Sequence, residues 1–290
     1  MILYVYVQWQ GWLIGIALYV VTMEVFGYIL NKTTPLEMMS GGDQLWFMDD
    51  DRNRFNIVAF HKYDKMTDLD DFRKKMLERA CRFPRLKASV IKLFGRYMFK
   101  EMTNEEMMES MNKTMPVISG IHDEKALADF MAKELSYRLP LEYLQWKVYF
   151  VPDYRPNESL FVYKVHHSLA DGIANILFFN ELCDKPTMGG YPNILNRFTF
   201  LQDLMIKMVM PFYLLWLTVK LLGFMKPEKN GFKTEKAKNN LNALKDVELV
   251  PDLNLDDVKR RAAELTTPDQ KFTINDIIMT VLSKTMNDYL

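Results

Sequence analysis

Cysteine is scarce in this chain: Cys81 and Cys183 are the only two among 290 residues. Two thiols cannot build a disulfide-dense secreted scaffold or a cysteine-rich zinc site, and both read as reduced, buried groups. Net charge is absent too, because 37 Lys plus Arg balance 37 Asp plus Glu. That balance removes the electrostatic case for a dedicated nucleic-acid binder. A phosphate-cradling P-loop, a serine-centred nucleophile elbow and a zinc-binding helix signature are all missing, and no metal site is expected. What is abundant is apolar. Hydrophobic residues make up 49% of the chain and charged residues 26%, which excludes a disordered chain and a many-pass membrane protein.

The first 30 residues carry a single charge, Glu24, and their most continuous apolar stretch is Trp12 to Val21. A helix of about 20 apolar residues spans a bilayer, and aromatic rings such as Tyr4, Trp9 and Trp12 favour its interfaces. Residues 1–30 are therefore expected to be a transmembrane or anchoring helix, the alternative being a buried core helix. Lys32, the first cation, places the rest of the chain on the cytosolic side by positive-inside logic. The expected location is a membrane, endoplasmic reticulum or plasma membrane, with the catalytic lobe cytosolic. A second apolar run, Met208 to Met225, is interrupted by Pro211 and Lys220 and followed by Lys226, Lys229, Lys233, Lys236 and Lys238. It reads equally as an interfacial helix with a cationic flank or as a core helix before a solvated linker.

Between these runs the periodicity predicts helices over Leu69–Arg82 and Glu124–Leu139, and strands over Trp146–Val151 and Leu160–Val165. Pro152 to Ser159 reads as a turn, Asp49-Asp50-Asp51 as a solvated acidic turn, and Thr273–Leu290 as a helix. Helices and strands without a strict alternation predict a mixed α/β (α+β) fold.

Two of four histidines are adjacent, and they open His166-His167-Ser168-Leu169-Ala170-Asp171-Gly172 directly after a predicted strand. A strand end fixes the two imidazoles, Asp171 sits where a helix N-cap is favoured, and Gly172 keeps the backbone open to a close-approaching substrate. Imidazole titrates near pH 6.5, so a bare ring nitrogen is available to act as a general base at neutral pH. The alternative is a structural histidine pair beside a helix cap.

This heptapeptide resembles the HHxxxDG signature of the acyltransferases related to chloramphenicol acetyltransferase. Other segments resemble the wax ester synthase/diacylglycerol acyltransferase branch in its order. They are Pro35-Leu36 with Asp43-Gln44-Leu45-Trp46-Phe47, Phe83-Pro84-Arg85-Leu86, Leu139-Pro140-Leu141 followed by Trp146, and Thr273-Ile274-Asn275-Asp276. Glu142 stands where that pattern has Asp.

The resemblance implies a two-layer acyltransferase lobe over residues 31–195, a hydrophobic helix and Lys-rich linker over 196–245, and the start of a truncated second lobe over 246–290. It also implies an O-acyltransferase that moves a fatty acyl group from acyl-CoA, a co-substrate rather than a bound cofactor, to a long-chain alcohol or diacylglycerol. His167 would be the general base and His166 its support, while Asp171 would hold the loop through an arginine. Gly172 would leave room in the channel. Asn275 and the adjoining Asp276 would support the oxyanion or the lobe, the alternative for Asn275 being a helix N-cap. Acyl-CoA, the lipid acceptor and a membrane are the expected partners, and no nucleic acid is. A catalytically idle lipid-binding homologue and a condensation-type amide former are the competing readings.

Overall fold

The computed structural model describes residues 2–50, 53–64, 68–80, 83–183, 198–224, 244–250 and 253–289. Cys81 and the Lys226–Lys238 stretch lie outside them. The chain divides into two compact units, one of residues 1–225 with 243–247 and one of 226–242 with 248–290.

The first unit is mixed α/β, with two small antiparallel sheets. One sheet has the order β1 (Leu36–Met38), β4 (Arg96–Glu101), β3 (Ala88–Leu93), and the other β2 (Asn56–Tyr63), β6 (Glu158–His166), β5 (Trp146–Arg155). The β3–β4 hairpin turns through Phe94 and Gly95, both at positive φ (50° and 77°), the pairing a two-residue turn of right-handed twist requires. Strands β5 and β6 run further than their apolar cores and are joined through Pro156-Asn157, with Asn157 at φ 65°. The predicted turn from Pro152 is thus partly strand. Pro152 is tolerated because β5 is an edge strand whose register shifts between Val151 and Arg155.

Helices follow the apolar spacing. α3 (Leu69–Ala80) buries Met76, α4 (Asn104–Thr114) starts from a Thr103/Glu106 capping box, and α5 (Glu124–Ser136) is capped by Asp123. The apolar faces of α3 and α4 meet Trp146, Val148, Phe150, Phe161 and Val165 in one core through Met76, Met107 and Met111, whereas α5 packs against β2 and β6 outside that cluster. Across that core the Trp146 indole N–H of β5 donates to the carbonyl of Leu86, in the 3-10 turn that leads into β3, at 2.9 Å. On the opposite face of β6, Lys164 is buried. Its ammonium donates to Tyr137 O at 2.6 Å and pairs with Glu134 at 3.2 Å.

Two expectations change here. α1 (Ile2–Thr33) is a continuous helix, but among the described residues no helix is long and apolar enough to cross a membrane. Gly11, Gly15, Thr22, Glu24 and Gly27 dilute its apolar run. Nor is it a buried core helix, since Trp12, Leu18, Tyr28 and Ile29 are exposed. Cys183 is exposed rather than buried, because the chain leaves α6 (Gly172–Leu182) at that residue. The second apolar run forms α7 (Phe200–Phe224).

The second unit holds α8 (Leu255–Leu265), capped by Asn254, which accepts from Asp256 N and Asp257 N, and α9 (Ile274–Tyr289), which packs on it.

Glu134→Ala strands the Lys164 ammonium with a single backbone partner. A buried charge that loses its counter-ion destabilises a fold by roughly 3 kcal/mol, so a lowered denaturant midpoint with an unchanged m-value is expected.

Candidate functional site at the end of β6

β6 lies between β2 and β5, so both of its edges are hydrogen-bonded and its C-terminal end is held rigidly. The last ladder partner of His166 is Asn56, and His166 N donates to Gln145 O at 3.0 Å. One residue later His167 N donates to Phe55 O at 2.8 Å. The turn closes with Leu169 N on His166 O at 3.0 Å, and α6 begins at Gly172.

The two imidazoles are treated differently. His166 is 1% exposed; Ser168 N donates to its Nδ1 at 3.3 Å and the Ser168 hydroxyl lies 2.8 Å from the same nitrogen. Its Nε2 is buried without a partner. Burial chiefly, then the Arg138 guanidinium and the His167 ring, hold its pKa down to about 4. His166 is therefore neutral at physiological pH and locked in place. His167 is only half-buried: Nδ1 is sealed off and unpartnered, whereas Nε2 is not sealed off in this way and makes no hydrogen bond.

The side chains that cover the pair come from α2 (Gly41–Trp46) and its C-cap, Phe47. Trp46 stacks on His167 with ring centroids 3.9 Å apart and planes 23° off parallel, and Phe47 stacks on His166 at 4.3 Å and 27°. Phe55 meets Trp46 edge-on at 5.1 Å. α2 itself is fixed by Ser40, which caps it by accepting from Asp43 N, and by Gln44. The Gln44 amide donates to Tyr97 O at 2.6 Å and accepts from Tyr97 N at 3.1 Å. Arg85 adds a clamp, pairing with Glu37 at 3.1 Å and Asp43 at 3.2 Å.

Asp49 is not part of a solvated turn. Its carboxylate is 1% exposed and pairs with Arg138 at 3.0 Å and Arg54 at 3.4 Å. Two guanidiniums drew it in, and one of them is the cation that bears on His166.

Asp171 is exposed and makes no arginine pair; its carboxylate accepts from Ala174 N at 2.8 Å as the N-cap of α6. The expected arginine link is replaced by this cap because the helix start presents a free N–H at the right distance. Asn175 is buried and donates to Ala170 O and Asp171 O at 3.3 and 2.9 Å, which fixes the loop from within. A Cβ on Gly172 would meet open space, so packing alone does not require glycine there.

Beside this loop lies a cavity of about 610 Å³. Its walls are the Trp146, Val148, Tyr163 and Val165 face of the sheet, Phe83–Leu86, and Ala174, Leu177 and Phe178 of α6; Leu169, Ala170 and Asp171 of the motif close one side.

Asn275 and Asp276 belong to the second unit. Asn275 is in the first turn of α9 and is not its cap. Thr273 takes that part, accepting from Asp276 N at 3.3 Å while Asp276 accepts from Thr273 N and Oγ1 at 2.7 Å. These bonds, the backbone one foremost, hold the Asp276 carboxyl below its usual range. Among the described residues no group of His, Cys, Asp and Glu could hold a metal ion. Trp46, Phe47, Asn175, Asp49 and Arg138 are the residues around the site that sequence reasoning gave no part; for Trp46 and Phe47 the signal was their place in the Asp43–Phe47 segment.

Between pH 6.5 and 4 the unfolded chain binds a proton that folded His166 refuses. Its contribution to stability is thus fully present above about pH 6.5 and is lost as pH falls towards 4, by about 3 kcal/mol at most. Denaturant midpoints at pH 7 and pH 4.5 check this, with a smaller drop expected for His166→Phe than for the unsubstituted chain.

No family model matches this chain, and no curated protein does. Among solved structures it is similar to a single-substitution variant of the starter condensation domain of rhizomide synthetase, at 13% identity over 51% of this chain and 36% of that one, with a TM-score of 0.41. The same variant in complex with C8-CoA gives 12% identity, coverage of 64% and 44%, and a TM-score of 0.43. The wax ester synthase/diacylglycerol acyltransferase from Marinobacter aquaeolei VT8 gives 14%, 48% and 36%, and 0.37. The chain spans between about a third and a half of the length of these proteins. Each is a partial likeness of fold at low identity, and none of them bears on what this chain acts upon.

Proposed function

We propose that this chain is an acyl-CoA-dependent acyltransferase of the wax ester synthase/diacylglycerol acyltransferase type, with His167 as its general base. One observation carries the reading. At the end of a strand paired on both sides, the second histidine of an HHxxxDG motif is only half-buried while its neighbour is buried and neutral.

In this reaction Nδ1 of His167 holds the ring proton and Nε2 takes the proton of an alcohol. The oxygen then forms a bond to the thioester carbonyl carbon, the C–S bond breaks, and the departing thiolate receives the proton from Nε2. No covalent acyl-enzyme is required. His166, Ser168 and Asn175 hold the loop, and Trp46 fixes the plane of the His167 ring. The apolar cavity beside the loop suits the chain of a fatty acyl or fatty alcohol substrate.

Purified protein is assayed with labelled long-chain acyl-CoA and either fatty alcohol, diacylglycerol or a fatty amine. Ester formation is expected with a hydroxyl acceptor, and His167→Ala lowers its rate by about 10²–10⁴-fold with the fold retained by circular dichroism. Full activity in that variant refutes the mechanism, product from the amine alone favours amide formation, and binding without product marks an idle homologue. Trp46→Leu is expected to lower kcat more than it changes KM, with Trp46→Phe recovering most of the rate. Ala174→Trp, which narrows the cavity, shifts the preferred acyl chain to a shorter one, read from competing acyl-CoA lengths.

A further inference from the structure

We infer that α1 and α7 together form an inserting surface for an anionic lipid bilayer, their apolar side chains immersed among its acyl chains. The observations are separate from the histidine site, and the inference does not depend on acyl transfer.

Both helices are unusually bare. On α7, Tyr213, Leu214, Leu215 and Trp216 are all about half exposed or more. Four successive residues point to every side of a helix, so the apolar surface is not one stripe. A folded partner covers one face of a helix, whereas lipid chains surround it, and this all-round exposure favours lipid as the occupant. α1 carries a matching set in Trp12, Ile14, Leu18 and Val25.

The charges on the pair are arranged for such a solvent. Lys207 of α7 pairs with Glu24 of α1 and with Asp203, each at 2.9 Å, so the charges where the helices meet neutralise one another. The remaining lysines lie over aromatic rings one turn away: Lys32 over Tyr28 at 5.9 Å, and Lys220 over Trp216 at 5.0 Å. An aromatic ring with a long cationic side chain beside it suits the boundary between acyl chains and head groups, where the stem lies in apolar surroundings and the ammonium reaches phosphate. In the sequence, α7 is followed directly by five lysines and two glutamates between positions 226 and 238, a cationic excess that complements anionic lipid.

Vesicle flotation of the purified chain tests this, using phosphatidylcholine vesicles with and without phosphatidylserine. Flotation with both is expected, stronger with phosphatidylserine and reduced towards the phosphatidylcholine level by high salt. Leu214→Asp and Leu215→Asp are expected to weaken partition by at least about tenfold, as for the loss of one buried leucine. Leu255→Asp, at an exposed leucine of the second unit, and His167→Ala float as the unsubstituted chain does. If a variant loses its helical circular dichroism, quenching of tryptophan by brominated phosphatidylcholine in the unsubstituted chain replaces it, with Trp216→Phe expected to lose part of the quenching. Failure of the chain to float, flotation of folded Leu214→Asp at the original level, or a stable dimer that ignores vesicles overturns the inference.

Discussion

The stacking of α2 on the end of β6 is the contact on which the site depends. Two consecutive rings, Trp46 and Phe47, lie on two consecutive imidazoles, His167 and His166. Neither histidine is otherwise held by a strong side-chain partner: His166 has the Ser168 hydroxyl at 2.8 Å, and His167 has only its backbone bond to Phe55. The orientation of the rings therefore comes from aromatic packing, which is worth of order 1 kcal/mol per pair beyond area burial. Everything that fixes α2, from the Gln44 bonds on Tyr97 to the Arg85 clamp on Glu37 and Asp43, acts on the imidazoles through this contact.

Much of the first unit was legible because its signals are local. The spacing in Leu69–Ala80 and Glu124–Ser136, and the apolar cores of β5 and β6, each reflect a period that burial on one face imposes. The site was legible for the same reason. A histidine pair, a capping Asp and a glycine within seven residues describe a strand-to-helix junction without reference to anything distant. Asp49 shows where that reasoning stops. Three consecutive aspartates read as solvent-exposed, yet Asp49 is buried by Arg54 five residues on and Arg138 far along the chain. A partner 89 residues away leaves no local pattern. The same holds for β1, β3 and β4, short strands whose identity comes from pairing with one another rather than from period, and for Trp46, whose role is visible only beside His167.

Arg138 and Asp49 also explain how a charged neighbourhood can coexist with a neutral histidine. Asp49 is shared by two guanidiniums, and that of Arg138 also bears on His166. A buried imidazole next to that charge gains nothing by protonation and loses its hydration, and both effects favour the neutral ring. The cluster pairs the buried Asp49 carboxylate and at the same time helps to hold His166 in its neutral form.

The two rings part company where the strand ends. His166 is the last residue of β6 and His167 the first of the turn that follows, so the two adjacent rings sit in different surroundings although both pack against the end of α2. If the first is turned inward, its nitrogens must be sealed or bonded, as those of His166 are. The second is half-buried, with its Nδ1 sealed off. Trp46 covers one face of the His167 ring, with centroids 3.9 Å apart. Two adjacent histidines thus occupy two environments, the first fully buried and neutral, the second half-buried under the Trp46 ring.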